Sequence, residues 1–166
     1  MVSAELLRRY PFFAGLSHEY LTRLAKISDE ISVDAEHYFF HEEEDLDKFY
    51  LTLEGAIAIV IELPEKDVQH KVSEQFLREL KTKDVIVSTV GSGDIFGWSG
   101  LVPPYKSTAG AKAVTDCRVV AIQSQELRNL FEEDCKFGLV MTQKAAQIIR
   151  ERLRDLRTET LSFIVQ

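Results

Sequence analysis

Apolar residues recur along this chain with two different periods. Up to about residue 30 they return every three or four positions, in SAELLRRY and SHEYLTRLAKI, each opened by a serine (Ser3, Ser17) and followed by an early glutamate (Glu5, Glu19). A serine in that place accepts hydrogen bonds from the first free amides, and an acid in the first turn suits the helix dipole. Two short helices are therefore predicted within residues 1–30, joined through Pro11-Phe12-Phe13. From Ile31 to Ile122 the pattern becomes EISV, HYFFH, KFYLTLEGAIAIVIEL, DVIVSTV, AGAKAV and CRVVAI, short β-rich runs separated by acidic or Gly/Pro-containing turns. With no long βαβ unit among them, the predicted fold is mainly β with flanking helices, a double-stranded β-helix or jelly roll over residues 31–122. The polar stretch at 64–83 reads as an insertion between neighbouring strands. It is either partly helical through Val72, Phe76 and Leu80 or a long solvated hairpin.

Beyond Ile122 the helical period returns. SQELRNLFEED predicts a helix capped by Ser124, and a longer one runs from about Phe137 to Phe163, so that 124–163 form a C-terminal helical segment. In the last helix Thr142, Ala146, Ile149, Leu153, Leu156, Thr160 and Phe163 are spaced by alternating four and three residues. Such a stripe, held over three heptads, favours another helix as its partner over a sheet. A homodimer joined through Ala146, Ile149, Leu153 and Leu156 is expected, the alternative being packing on the chain's own roll. Its flank carries Lys144, Arg150, Arg152, Arg154 and Arg157 against Glu151 and Asp155, a solvated face in a chain of net charge -7.

Composition narrows the function classes. At 166 residues and 45% hydrophobic content the chain suits one domain spanning 1–166. The acidic balance disfavours a direct nucleic-acid partner, which calls for a basic face. No run of about 18 apolar residues and no secretory leader is present, so no membrane partner and a cytoplasmic location are expected. Cys117 and Cys135 lie at no ligand spacing and read as reduced thiols. The run Glu42, Glu43, Glu44, Asp45 lacks the alternation and glycine of a calcium loop. His37 and His41 do not form an HxH pair, while His18 lies in a helix and His70 in the insertion, so no metal is expected. No nucleophile–base pair or paired carboxylates mark a catalytic site, and Ser88, Ser92 and Ser99 have no plausible histidine near them in sequence.

The stretch GDIFGWSGLVPPYKSTAGAKA is the strongest chemical signal. Gly91, Gly93 and Gly97 permit tight backbone paths, and Gly97 opens one helical turn whose first amides are free to meet an anion. Pro103-Pro104 stiffens the loop, and Lys106, Ser107 and Thr108 add a cation and two hydroxyls. The candidate ligand-binding residues are Phe96, Gly97, Trp98, Ser99, Gly100, Leu101, Lys106, Ser107 and Thr108.

The order of motifs adds to this. A PFF-x-GLS step, D-x-FY-x-x-x-x-G (Asp47, Phe49, Tyr50, Gly55), a G-D-x-FG loop and two final helices resemble the cyclic-nucleotide-binding domain of the catabolite-activator and cyclic-nucleotide-regulated kinase superfamily, over nearly the whole chain. The resemblance implies that the loop is a phosphate-binding cassette, in which amides and an Arg hold the cyclic phosphate and a Glu after FG binds the ribose. It also implies a dimer interface on the last helix. Two positions depart: Trp98 replaces the ribose Glu, and Ser107 stands where the Arg is expected, with Lys106 one residue earlier as a looser source of charge. A third departure is Glu43, in a turn where relatives usually carry Gly. Three outcomes follow: a different anionic or nucleotide ligand stacked on Trp98, an ordinary cyclic nucleotide such as cyclic AMP, or a pocket filled by the indole. Because no winged helix-turn-helix precedes Gln166, the expected protein is a stand-alone regulatory or sensor domain. The alternatives are the sensor half of a transcription regulator and a ligand-free dimerisation scaffold.

Overall fold

The computed structural model describes residues 2–64 and 82–164. Ala4–Arg8 (α1) and His18–Lys26 (α2) are capped as their serines predict: Ser3 Oγ accepts from Leu6 N at 3.1 Å and Ser17 Oγ from Tyr20 N at 3.2 Å. A 3₁₀ turn, Pro11–Phe13, connects them. Then come β1 (Ser28–Val33), β2 (Tyr38–Phe40), β3 (Lys48–Glu54), β4 (Ile57–Pro64), β5 (Thr82–Val90), β6 (Ile95–Phe96), β7 (Gly110–Ala113) and β8 (Cys117–Gln123). They form two four-stranded antiparallel sheets, β1-β8-β3-β6 and β2-β7-β4-β5, which is the predicted roll.

The unbroken apolar runs in β3 and β8 have a physical reason: their sheet is buried on both faces, so alternation disappears. Phe49, Leu51 and Leu53 of β3, with Val120 and Ile122 of β8, pack against Leu7, Phe13, Leu21, Leu24, Leu127, Phe137 and Met141 of the helical layer. Tyr50, Val119 and Ala121 face inward and meet Phe40, Ile57, Val90, Phe96, Ala111 and Ala113 inside the roll. The fully buried aromatic rings Phe13, Phe49 and Phe137 each contribute about 2–3 kcal/mol by removal from water. β4 and β5 pair from Ile57–Val90 out to Pro64–Thr82, with a register shift that leaves Val87 as the extra residue between Ser88 and Ile86. Of the insertion predicted over 64–83, Pro64 belongs to β4 and Thr82 and Lys83 to β5, and 65–81 lie outside the described residues.

The C-terminal layer is α3 (Ser124–Glu133) and α4 (Cys135–Ile164). Here the capping expectation is corrected. Gln123 occupies the N-cap position with no side-chain bond, and Ser124 is already helical. β8 runs straight into α3, so that Ser124 N donates to Asp47 O at 2.8 Å, and Ser124 Oγ is buried with no partner among the described residues. The side-chain cap falls instead on α4, which starts two residues before its predicted start: Asp134 Oδ1 accepts from Phe137 N at 3.0 Å. Asp134 is held below the ordinary aspartate range, chiefly by that backbone bond.

α4 presents two stripes. Phe137, Met141 and Ala145 are buried, and Ile148 packs behind them on the helical core. The predicted seam is offset by one position and stays outside: Ala146 is exposed, Leu153 and Leu156 are 47% and 46% exposed, and Ile149 is half-buried. The side chains of Thr160 and Phe163 lie outside the described residues.

Candidate ligand-binding cavity

β6 ends in an aromatic stack in which the Phe96 and Tyr50 rings lie 4.7 Å apart and within 8° of parallel. Burial, with Asp47 nearby, pushes the Tyr50 phenol up to about 12, so it stays neutral throughout the physiological range. At Gly97 the chain adopts a left-handed conformation, φ 73°, and a Cβ there would stand 3.1 Å from Lys48 O and 3.2 Å from Tyr50 Cδ2. Only glycine meets both demands. The 3₁₀ turn Trp98–Leu101 follows, with Gly100 N donating to Gly97 O at 3.1 Å. Its ladder leaves the amides of Trp98 and Ser99 over, and neither has a hydrogen-bond partner among the described residues. Arg128 of α3 secures the far end of the turn: Nη1 donates to Gly100 O at 2.6 Å, and Cζ lies 4.3 Å from the Tyr105 ring centroid. Sequence reasoning missed Arg128, which sits at no motif position.

Beside this turn opens a cavity of about 500 Å³. Its far wall is the second sheet, through Phe40, Ile59, Ile61, Val87 and Val90. Phe96, Gly97, Trp98 and Ser99 form the near wall, Ser107, Thr108 and Ala109 one end, and α4 closes the side with Arg152, Asp155 and Leu156. The indole is half-buried and lines the space without filling it.

Of the predicted ligand residues, Phe96, Gly97, Trp98, Ser99, Ser107 and Thr108 are brought together here, while Gly100, Leu101 and Lys106 are not part of the wall. Lys106 requires a correction. It pairs with Asp45 as an antiparallel bridge, and successive side chains on such a segment point to opposite sides. Lys106 therefore points outward, its Nζ 3.3 Å from Glu43 O and 3.7 Å from Asp45, and its neighbour Ser107 points inward. The Ser107 hydroxyl is nearly fully buried and already engaged: it accepts from Glu44 N at 3.0 Å and donates to His41 O at 2.5 Å. It ties the acidic turn to the roll. Glu43 in that turn is left-handed, φ 63°, which is why a glycine is at home there.

Arg152 is the cation that does reach the cavity. It is half-buried and forms no ion pair or hydrogen bond among the described residues. The sequence showed it only as one of five cations on the flank of the seam, a position that carries no signal of which way it faces. Among the described residues no three of His, Cys, Asp and Glu converge on a metal position, and no helix is long and apolar enough to cross a membrane.

The cyclic nucleotide-binding domain profile matches residues 30–134, more than half of the chain. The chain belongs to the cyclic nucleotide-binding domain family. A Geobacter metallireducens protein described as a cyclic nucleotide-binding protein is 33% identical, with a TM-score of 0.74 over 92% of this chain and 99% of that one. A cyclic nucleotide-binding domain from Methylobacillus flagellatus shares the fold at 18% identity, with a TM-score of 0.70 over 96% of this chain and 80% of that one. The sensor domain of the transcriptional regulator DNR from Pseudomonas aeruginosa does so at 17% identity, with a TM-score of 0.64 over 90% of each. No curated protein matches the chain. This cyclic nucleotide-binding domain thus keeps the roll, the glycine turn and the long last helix. Its turn after Gly97 carries the Trp98 indole, and the Ser107 hydroxyl is already committed to the fold.

Proposed function

We propose that the chain is a cytoplasmic regulatory sensor domain that binds a small anionic or nucleotide ligand between its roll and α4, and passes occupancy on through that helix. It is a binding module and not an enzyme. The observation that carries this is the open cavity, walled on one side by the helix that would report on it. The two spare amides at Trp98 and Ser99 beside that space support an anionic guest, and a regulatory domain of Toxoplasma gondii PKA with the same fold was solved with cAMP. Calorimetric titration of the full chain with cyclic AMP, cyclic GMP and phenylbutyrate tests it. Heat is expected from at least one, and it should disappear in Ala109→Phe, which fills the cavity. Silence from all three in the wild type would overturn ligand sensing.

A second reading, the homodimer, has its own observation: Leu139, Leu153 and Leu156 are 46–59% exposed on one helix, too much apolar surface for a face left to water. The dimer serves the sensor as its output, and serves a ligand-free scaffold as its whole function. Light scattering of Ile149→Glu/Leu153→Glu should give a monomer; a persistent dimer would remove the seam.

A further inference from the structure

The cavity has a charge distribution that narrows its guest. Every charged residue in its wall, Arg152 and Asp155, comes from α4; the roll supplies none. Asp155 is exposed and stands at the rim, whereas Arg152 is half-buried and without a partner among the described residues. The body of the cavity is hydrocarbon and aromatic, through Phe40, Ile59, Ile61, Val87, Phe96 and Trp98. A ribose offers hydroxyl hydrogens that need acceptors, and the wall's one carboxylate, Asp155, stands at the rim, which leaves the neutral hydroxyls of Ser88, Thr89, Ser99 and Thr108 to meet them. Trp98 can only donate, and the Ser107 hydroxyl is spent on His41 and Glu44. A buried sugar hydroxyl left without an acceptor loses more than it gains.

Resting on the sensor reading above, we infer that the preferred guest is an amphipathic organic acid, a flat or branched apolar body carrying one carboxylate. The body lies against Trp98 and the second sheet, and the carboxylate is held by the Arg152 guanidinium. Guanidinium meets carboxylate through paired N–H bonds, which a hydroxyl or an uncharged group cannot replace. Because Arg152 belongs to α4, the bound acid bridges the roll to the helix. Occupancy is then felt by the exposed seam one turn away without passing through the cassette.

Trp98 is the sole tryptophan and lines the cavity, so its emission reports occupancy directly. The full chain is titrated with phenylbutyrate, with phenylbutanol as its uncharged counterpart, and with cyclic AMP and inorganic phosphate, by Trp98 fluorescence and calorimetry together. Phenylbutyrate is expected to bind more tightly than the other three. Arg152→Gln should weaken phenylbutyrate roughly ten- to a hundredfold, leave phenylbutanol unchanged, and be partly reversed in Arg152→Lys. Asp155→Asn should tighten phenylbutyrate severalfold. Equal binding of phenylbutyrate by wild type and Arg152→Gln overturns the inference, and so does cyclic AMP binding more tightly than phenylbutyrate. In both of these results the sensor reading stands. No response to any of the four probes removes both.

Discussion

Replacing Ser107 by Ala removes one oxygen and leaves two backbone groups without their partners, the Glu44 amide at 3.0 Å and the His41 carbonyl at 2.5 Å. Each orphaned group costs about 1–3 kcal/mol when buried. The 41–46 turn is partly wet, with Glu43, Glu44 and Asp45 exposed, so the lower end of that range, about 1 kcal/mol per group, applies and the sum is about 2 kcal/mol. With a urea slope of roughly 2 kcal/mol per molar for a chain of this size, the unfolding midpoint of Ser107→Ala should fall by about 1 M. The same variant should bind any cavity ligand as the wild type does, because the hydroxyl is committed to the fold. A midpoint shift under roughly 0.2 M would refute the assignment of this side chain to the turn. Loss of ligand affinity with stability intact would return Ser107 to the binding site.

The neighbouring turn makes an opposite prediction. Glu43→Gly removes a left-handed non-glycine residue and one of four consecutive acids, and should raise stability by about 1 kcal/mol in the same urea titration. No gain, or a loss, would mean that the glutamate side chain supports the turn. Asp134 supplies a pH test. Its folded pKa is depressed, so the carboxylate stabilises α4 above the unfolded value and that contribution is lost as pH falls through the folded one. Asp134→Ala should therefore melt below the wild type at neutral pH, with the gap closing once the pH drops below the ordinary aspartate range of about 4. A gap that persists in acid would show that something other than the charge is lost.

The elements that were legible in the sequence are those whose cause is local. Ser3 and Ser17 cap helices because an adjacent amide is the only requirement, and the runs around Phe49 and Val119 are strands because nothing but a sheet buried on both faces suits them. Gly97 was legible as a turn because its conformation excludes other residues. What escaped depends on what meets a residue from elsewhere in the chain. Ser124 loses its capping role to the Asp47 carbonyl, 77 positions earlier in sequence and adjacent in space. Lys106 and Ser107 exchange their expected roles because the bridge to Asp45 fixes which of the two points inward. Arg152 and Arg128 enter the site from helices whose orientation no local pattern encodes.

Amide chemical-shift mapping of the full chain titrated with phenylbutyrate and, separately, cyclic AMP places the ligand without reference to any variant. The largest changes should fall on Trp98, Ser99 and Thr108 together with Arg152, Asp155 and Leu156 of α4, the turn and the helix that share the cavity. Changes restricted to Ser92–Asp94 and Lys144–Glu151 would put the ligand in the neighbouring polar cleft, which shares Ile95, Arg152 and Asp155 with the cavity. That result would contradict a site between the Trp98 turn and the second sheet.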